Sequence, residues 1–149
     1  MVKHHMIRVL LAASCLAAGV APVAASDIVV IVNAANPATT LDKAAVKAYY
    51  LKQRPTWADG ERVRAVDIPD DPGARVEFVT KVLGLSIAEF ERHWIAQQYA
   101  SGDGPPSKAP DEAAVIKLVQ LFKGGIGFVS RAALEKAGDV RVKVVLTSQ

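Results

Sequence analysis

Residues 27–33 (DIVVIVN) are β-branched almost throughout, which predicts a strand buried on both faces, the kind found inside a parallel sheet. A polar loop over 34–40 follows. Thr40 is placed to cap a helix whose apolar face is Leu41, Ala45, Ala48 and Tyr49, with Asp42 in its first turn, where a carboxylate meets the helix dipole favourably. Pro55 and the pair Asp59-Gly60 break that helix, and the chain returns as a strand over 62–68. The loop 69–73 (PDDPG) feeds a helix from about Ala74 to Leu83, with Val76, Val79, Val82 and Leu83 at helical spacing and Gly84 as its C-cap.

Ser86 and Glu89 form a capping-box pattern that opens a helix to about Tyr99, with Phe90, Trp94 and Ile95 pointing one way. The loop 101–110 (SGDGPPSKAP) ends at Asp111, which caps a helix carrying Ala114, Val115, Leu118, Val119 and Phe122. Gly124 and Gly125 end it. A short strand over 126–129, a helical turn over 131–136 and a last strand over 140–146 complete the chain. Strands alternating with helices predict an α/β fold: a single mixed or parallel sheet with helices packed on its faces. No internal repeat interrupts it, so residues 26–149 read as one domain.

The first 25 residues read differently. Lys3 and Arg8 precede an apolar stretch over 9–20, and Val23-Ala24-Ala25 is a small-residue cleavage site; together these have the form of a secretory signal peptide. The stretch is about 12 residues, short of the roughly 20 that span a bilayer, and no later stretch approaches that length, so an integral membrane protein is not expected. The rival for this segment is lipidation at Cys15, which follows Ala12-Ala13-Ser14. Export would place the domain in the periplasm.

Removing the leader changes the chemistry available. The chain has 18 basic and 15 acidic residues, and two of the basic ones leave with the leader, so the remainder is near neutrality. It has no dense Lys/Arg stripe interleaved with aromatics, which argues against nucleic-acid binding. Cys15 is the single cysteine; without it the domain has no disulfide, no thiol nucleophile and no cysteine-based metal site. Of the three histidines only His93 remains, beside Trp94 on a predicted helix, and no Gly-x-Ser-x-Gly elbow exists. Asp67, Asp70 and Asp71 cluster around a proline-rich turn, where acids are ordinarily solvated. No catalytic residue, metal site or cofactor is expected, and the protein does not read as an enzyme.

Anion binding has more physical support. The loops 33–40 and 71–75 each follow a strand and end at a helix N-terminus. On one carboxyl edge of a sheet, their free N–H groups would favour a phosphate-like anion. The expected ligand-binding residues are Asn33, Thr39, Thr40, Gly73, Ala74 and Arg75.

Several landmarks occur in a telling order: Ala48-Tyr49-Tyr50-Leu51-Lys52 followed by Trp57, then Val63 to Val66, Gly73 with Arg75 and Phe78, the Trp94 helix, and Gly125-Ile126-Gly127-Phe128-Val129. In this order the chain resembles the periplasmic phosphate-binding proteins of ABC transporters, the type II solute-binding proteins, and specifically a short single-lobe relative. The resemblance implies non-covalent binding of phosphate or a related small oxyanion, and a partner such as an ABC permease or another periplasmic or membrane protein. The chain departs from the family where it has Pro72-Gly73-Ala74 in place of a Ser-Gly-Thr loop, losing two hydroxyl donors, and Ile68 falls at or near a usual arginine. The alternative is an interaction or sensory accessory lobe without a ligand, for which the loop from Lys52 to Trp57 is the expected contact surface.

Overall fold

The computed structural model describes residues 27–148, so the expected leader and Cys15 lie outside the described residues. Five strands, β1 (Ile28–Asn33), β2 (Arg64–Asp67), β3 (Ser107–Lys108), β4 (Gly125–Ser130) and β5 (Val142–Thr147), form one sheet in the order β3-β2-β4-β1-β5. The helices are α1 (Lys43–Tyr50), α2 (Pro72–Glu77), α3 (Ile87–Ser101), α4 (Glu112–Leu121) and α5 (Arg131–Ala137). This is the expected single-sheet α/β fold, and the sheet is mixed. β2 runs parallel to β3 and β4, whereas β1 is antiparallel to both of its neighbours, β4 and β5.

Residues Ile28 to Val32 have no exposed surface, as a run without polar alternation requires. Their expected place inside a parallel sheet is corrected by the pairing. Burial reports that both faces are covered, and says nothing about strand direction.

Beneath the sheet, Phe78 stacks on Phe128 with ring centres 4.0 Å apart, and Tyr50 meets Phe78 at 4.7 Å. The buried Tyr50 hydroxyl donates to the Val66 carbonyl at 2.8 Å, so this aromatic cluster carries no unsatisfied oxygen. The helix expected over 74–83 is realised in two parts: α2, then a π-helical turn over Phe78–Val82 closed by Leu83 N–H donating to the Phe78 carbonyl. The wider turn shifts the buried face by one residue. Phe78, Val79, Val82 and Leu83 are therefore buried, while Val76 is 44% exposed. On α3, Phe90 and Trp94 face inward and Ile95 is turned out.

Trp57 was expected at a contact surface and instead lies in the core, 3% exposed. Its ring packs on Tyr49 at 4.2 Å and its Nε1–H donates to the Gly124 carbonyl at 3.0 Å. The bridge between Thr56 and Arg62 folds the loop back on itself and carries the indole inward.

Candidate functional site

The carboxyl ends of the parallel strands β2, β3 and β4 lie on one edge of the sheet, and the helices α2, α4 and α5 begin there. Each N-terminus is already capped from within. Asp71 accepts from Ala74 N–H at 3.1 Å, Asp111 from Ala114 N–H at 2.7 Å, and the Ser130 hydroxyl from Ala133 N–H at 3.1 Å. Glu112 accepts from both the backbone N–H and the hydroxyl of Ser130.

The expected site residues separate into two groups. Asn33 ends β1, which is antiparallel to β4, at the opposite end of the sheet from Gly73, Ala74 and Arg75, and Thr39 and Thr40 lead into Leu41, whose N–H donates to the Val145 carbonyl of the edge strand β5. The expectation that both loops share one carboxyl edge is corrected by this reversal of β1. Asn33 is occupied structurally: its Nδ2 donates to the carbonyls of Val119 at 3.0 Å and Gln120 at 2.9 Å, closing the end of α4, and its Oδ1 accepts from Ala35 N–H. Thr39 and Thr40 are exposed, and Asp42 rather than Thr40 caps α1, accepting from Ala45 N–H at 2.7 Å. Aspartate outcompetes threonine there because its oxygen reaches the third helical N–H from the residue that enters the first turn.

Around Arg75 the structure gathers side chains that local patterns do not connect. Arg75 Nε donates to both carboxylate oxygens of Asp67, at 3.1 and 3.0 Å, and its Nη1 reaches Glu91 on α3 at 3.3 Å. The pair Asp67–Arg75 is largely buried, while Glu91 is exposed. Above it opens a hollow of about 310 Å³ lined by Asp67, Arg75, Phe90, Glu91, Trp94 and Lys108. Asp67 was visible only as one of an acid cluster. Its partnership with Arg75 spans a loop, and no periodicity marks it.

Burial pushes the Asp67 carboxyl above its ordinary value of 3.8, and this outweighs the opposing pull of Arg75 and of the Ile68 N–H. The native state therefore holds this proton more tightly than the unfolded chain, and stability falls as pH rises from 3.8 through the raised value. Asp67→Asn removes that dependence. In urea titrations across pH 3.8 and above, the stability of the variant relative to the parent should rise with pH through this window and then level off. A constant difference would contradict the assignment.

Among the described residues, no cluster of three or more His, Cys, Asp or Glu side chains could hold a metal ion, and no helix is long and apolar enough to cross a membrane.

No protein-family model and no curated protein matches the sequence. Solved structures do match the fold. An ABC-type phosphate transport receptor from Vibrio cholerae is 19% identical with a TM-score of 0.60, over 80% of this chain and 46% of that one. A protein described as a phosphate ABC transporter substrate-binding protein with bound phosphate, from Clostridium perfringens, is 21% identical with a TM-score of 0.59, over 80% of this chain and 45% of that one. A possible phosphate binding protein from Planctomyces limnophilus DSM 3776 is 15% identical with a TM-score of 0.56, over 81% and 42%. The chain has the α/β fold of a single lobe of such proteins and spans less than half of their length.

Proposed function

We propose that this protein is an exported, periplasmic single-lobe module of the phosphate ABC-transport type, which holds a small protonated oxyanion such as phosphate without covalent chemistry. The observation that carries this reading is the buried Asp67–Arg75 pair at the carboxyl end of β2, beneath a hollow that Lys108 also lines. Arg75 and Lys108 supply positive charge. With Asp67, Asp71 and Glu91 nearby, a fully deprotonated anion is opposed, whereas one that brings its own proton can donate it to a carboxylate. Hydrogen phosphate carries such a proton at neutral pH and sulfate does not. Of the expected ligand residues, Arg75 lines this hollow; Gly73 and Ala74 do not, the Ala74 N–H being taken by Asp71, and Asn33, Thr39 and Thr40 lie elsewhere. An ABC permease or another periplasmic protein would complete the site or receive the ligand.

A second reading is favoured by one specific observation. Asp71 already takes the Ala74 N–H, and Asp67 with Glu91 already engages Arg75. On that reading the lobe has replaced its ligand by its own carboxylates and acts as an interaction or sensory accessory protein. Calorimetric titration with phosphate and with sulfate separates the two. The ligand-binding reading expects saturable heat with phosphate, affinity for sulfate lower by at least about tenfold, and loss of both with Arg75→Ala. Flat titrations to millimolar anion, on protein shown folded by circular dichroism, leave the accessory reading.

A further inference from the structure

A second cavity, of about 200 Å³, shares Trp94, Pro105 and Pro106 with the oxyanion hollow but opens onto different chemistry. Tyr49, Tyr50, Leu118 and Phe122 contribute to a largely apolar wall, and Lys52 and Arg64, both exposed, border it. The volume is that of a single substituted ring; a dry apolar cavity of roughly 150 Å³ already accepts benzene.

Three observations meet at this cavity. The Trp94 side chain is almost wholly buried, and its Nε1–H has no acceptor among the described residues. That nitrogen is closed to the cavity as well as to solvent, so Trp94 lines the cavity through its other atoms. Lys52 has a φ of 54°, the left-handed region that a residue with a Cβ seldom occupies, and among the described residues it is the non-glycine residue that does so. That φ closes the end of α1, and the Lys52 ammonium lies 5.9 Å from the centre of the Trp94 ring and 3.1 Å from Asp103. Arg64 lies over the Phe122 ring at 4.4 Å and has no carboxylate partner among the described residues.

We propose that this cavity binds a small apolar carboxylate whose body is about one ring in size. The ring fills the space against Tyr49, Tyr50 and Leu118. The charge of its carboxylate is met by Arg64 and by Lys52, in competition with Asp103. Phosphate does not suit this wall, which offers few donors and much apolar surface.

Two indole N–H signals make the test direct. Trp57 Nε1–H is bonded to the Gly124 carbonyl and serves as an internal reference for Trp94. Benzoate, titrated into the protein and followed by ¹H–¹⁵N correlation, should move the Trp94 indole signal saturably and leave that of Trp57 in place. Benzyl alcohol, with the same ring and no charge, should bind more weakly. Lys52→Gln should weaken benzoate by roughly fivefold, as loss of one exposed charge contact does, without changing the response to benzyl alcohol. Ala65→Leu, which adds bulk at the cavity wall, should remove both responses.

The proposal is overturned if the Trp94 signal is unmoved up to roughly 10 mM benzoate in folded protein. Equal binding of benzoate and benzyl alcohol would equally overturn it, since the carboxylate would then have no partner. So would phosphate moving the Trp94 signal as benzoate does, because the response would then come from the neighbouring hollow. Failure of this test leaves the phosphate titration and its Arg75→Ala control unaffected.

Discussion

Gly124→Ala should cost about 3 kcal/mol or more and leave little soluble folded protein. A Cβ on Gly124 would be driven into the backbone carbonyl oxygen of Arg62, with the carbonyl carbon at 2.9 Å and Glu61 Cγ at 3.2 Å. Neither segment can retreat. Arg64 N–H donates to the Gly124 carbonyl at 2.9 Å, and Trp57 Nε1–H donates to the same oxygen at 3.0 Å, so separating the chains also strips the core tryptophan of its acceptor. Gly104→Ala is the matching control, because nothing among the described residues lies within 4 Å of its Cβ, and its stability should stay within about 0.5 kcal/mol of the parent. Urea denaturation of both variants decides the matter: a Gly124→Ala protein as stable as Gly104→Ala would mean that the approach of Arg62 is not obligatory.

Phe78→Ala should destabilise by about 3–5 kcal/mol, as truncation of a buried phenylalanine does where the surroundings cannot collapse. Phe78 is 1% exposed, lies parallel to Phe128 with an interplanar angle of 5°, and touches Tyr50 from another side. It also begins the π-helical turn, so its position depends on the whole helix rather than on one flexible side chain. Phe78→Leu keeps most of the volume and should cost distinctly less. A double-mutant cycle with Phe128→Leu should return a coupling of about 0.5–1.5 kcal/mol, the size of an aromatic pair. Additive effects in that cycle would show that the stack contributes only through buried area.

Both predictions concern residues that sequence reasoning treated lightly. In the sequence Phe78 is a landmark and not the centre of a cluster, because the π turn displaces it from the face that a regular helix would present. As a sequence signal Gly124 marks a helix end, which its place after α4 satisfies. Its greater constraint is contact with a segment far away in the sequence.

The candidate site divides along the same line. Arg75 was legible, because a cation in a loop feeding a helix after a strand is a local pattern. Its two carboxylate partners were not: Asp67 lies eight positions earlier across a turn, and Glu91 lies on another helix. Asn33 shows the opposite failure. Its polar side chain at a strand end looked available for a ligand, yet it is used to close the end of α4, 86 positions away. Trp94, whose indole N–H has no acceptor among the described residues, carries no local mark that would separate it from an ordinary core tryptophan.

What the sequence by itself determined is therefore what short-range forces decide. The caps at Ser86 and Asp111, the burial of 28–32 and the alternation of strands with helices all follow from backbone hydrogen bonds and apolar periodicity within a few residues. What only the tertiary structure decided is the direction of β1, the inward turn of Trp57 and the pairing of Asp67 with Arg75. A strand buried on both faces satisfies the same pattern whichever way it runs, and packing among distant segments selects the direction. That choice starts the loop after β1 at the far end of the sheet, from which it returns along β5, and so decides which of the candidate residues can share a ligand.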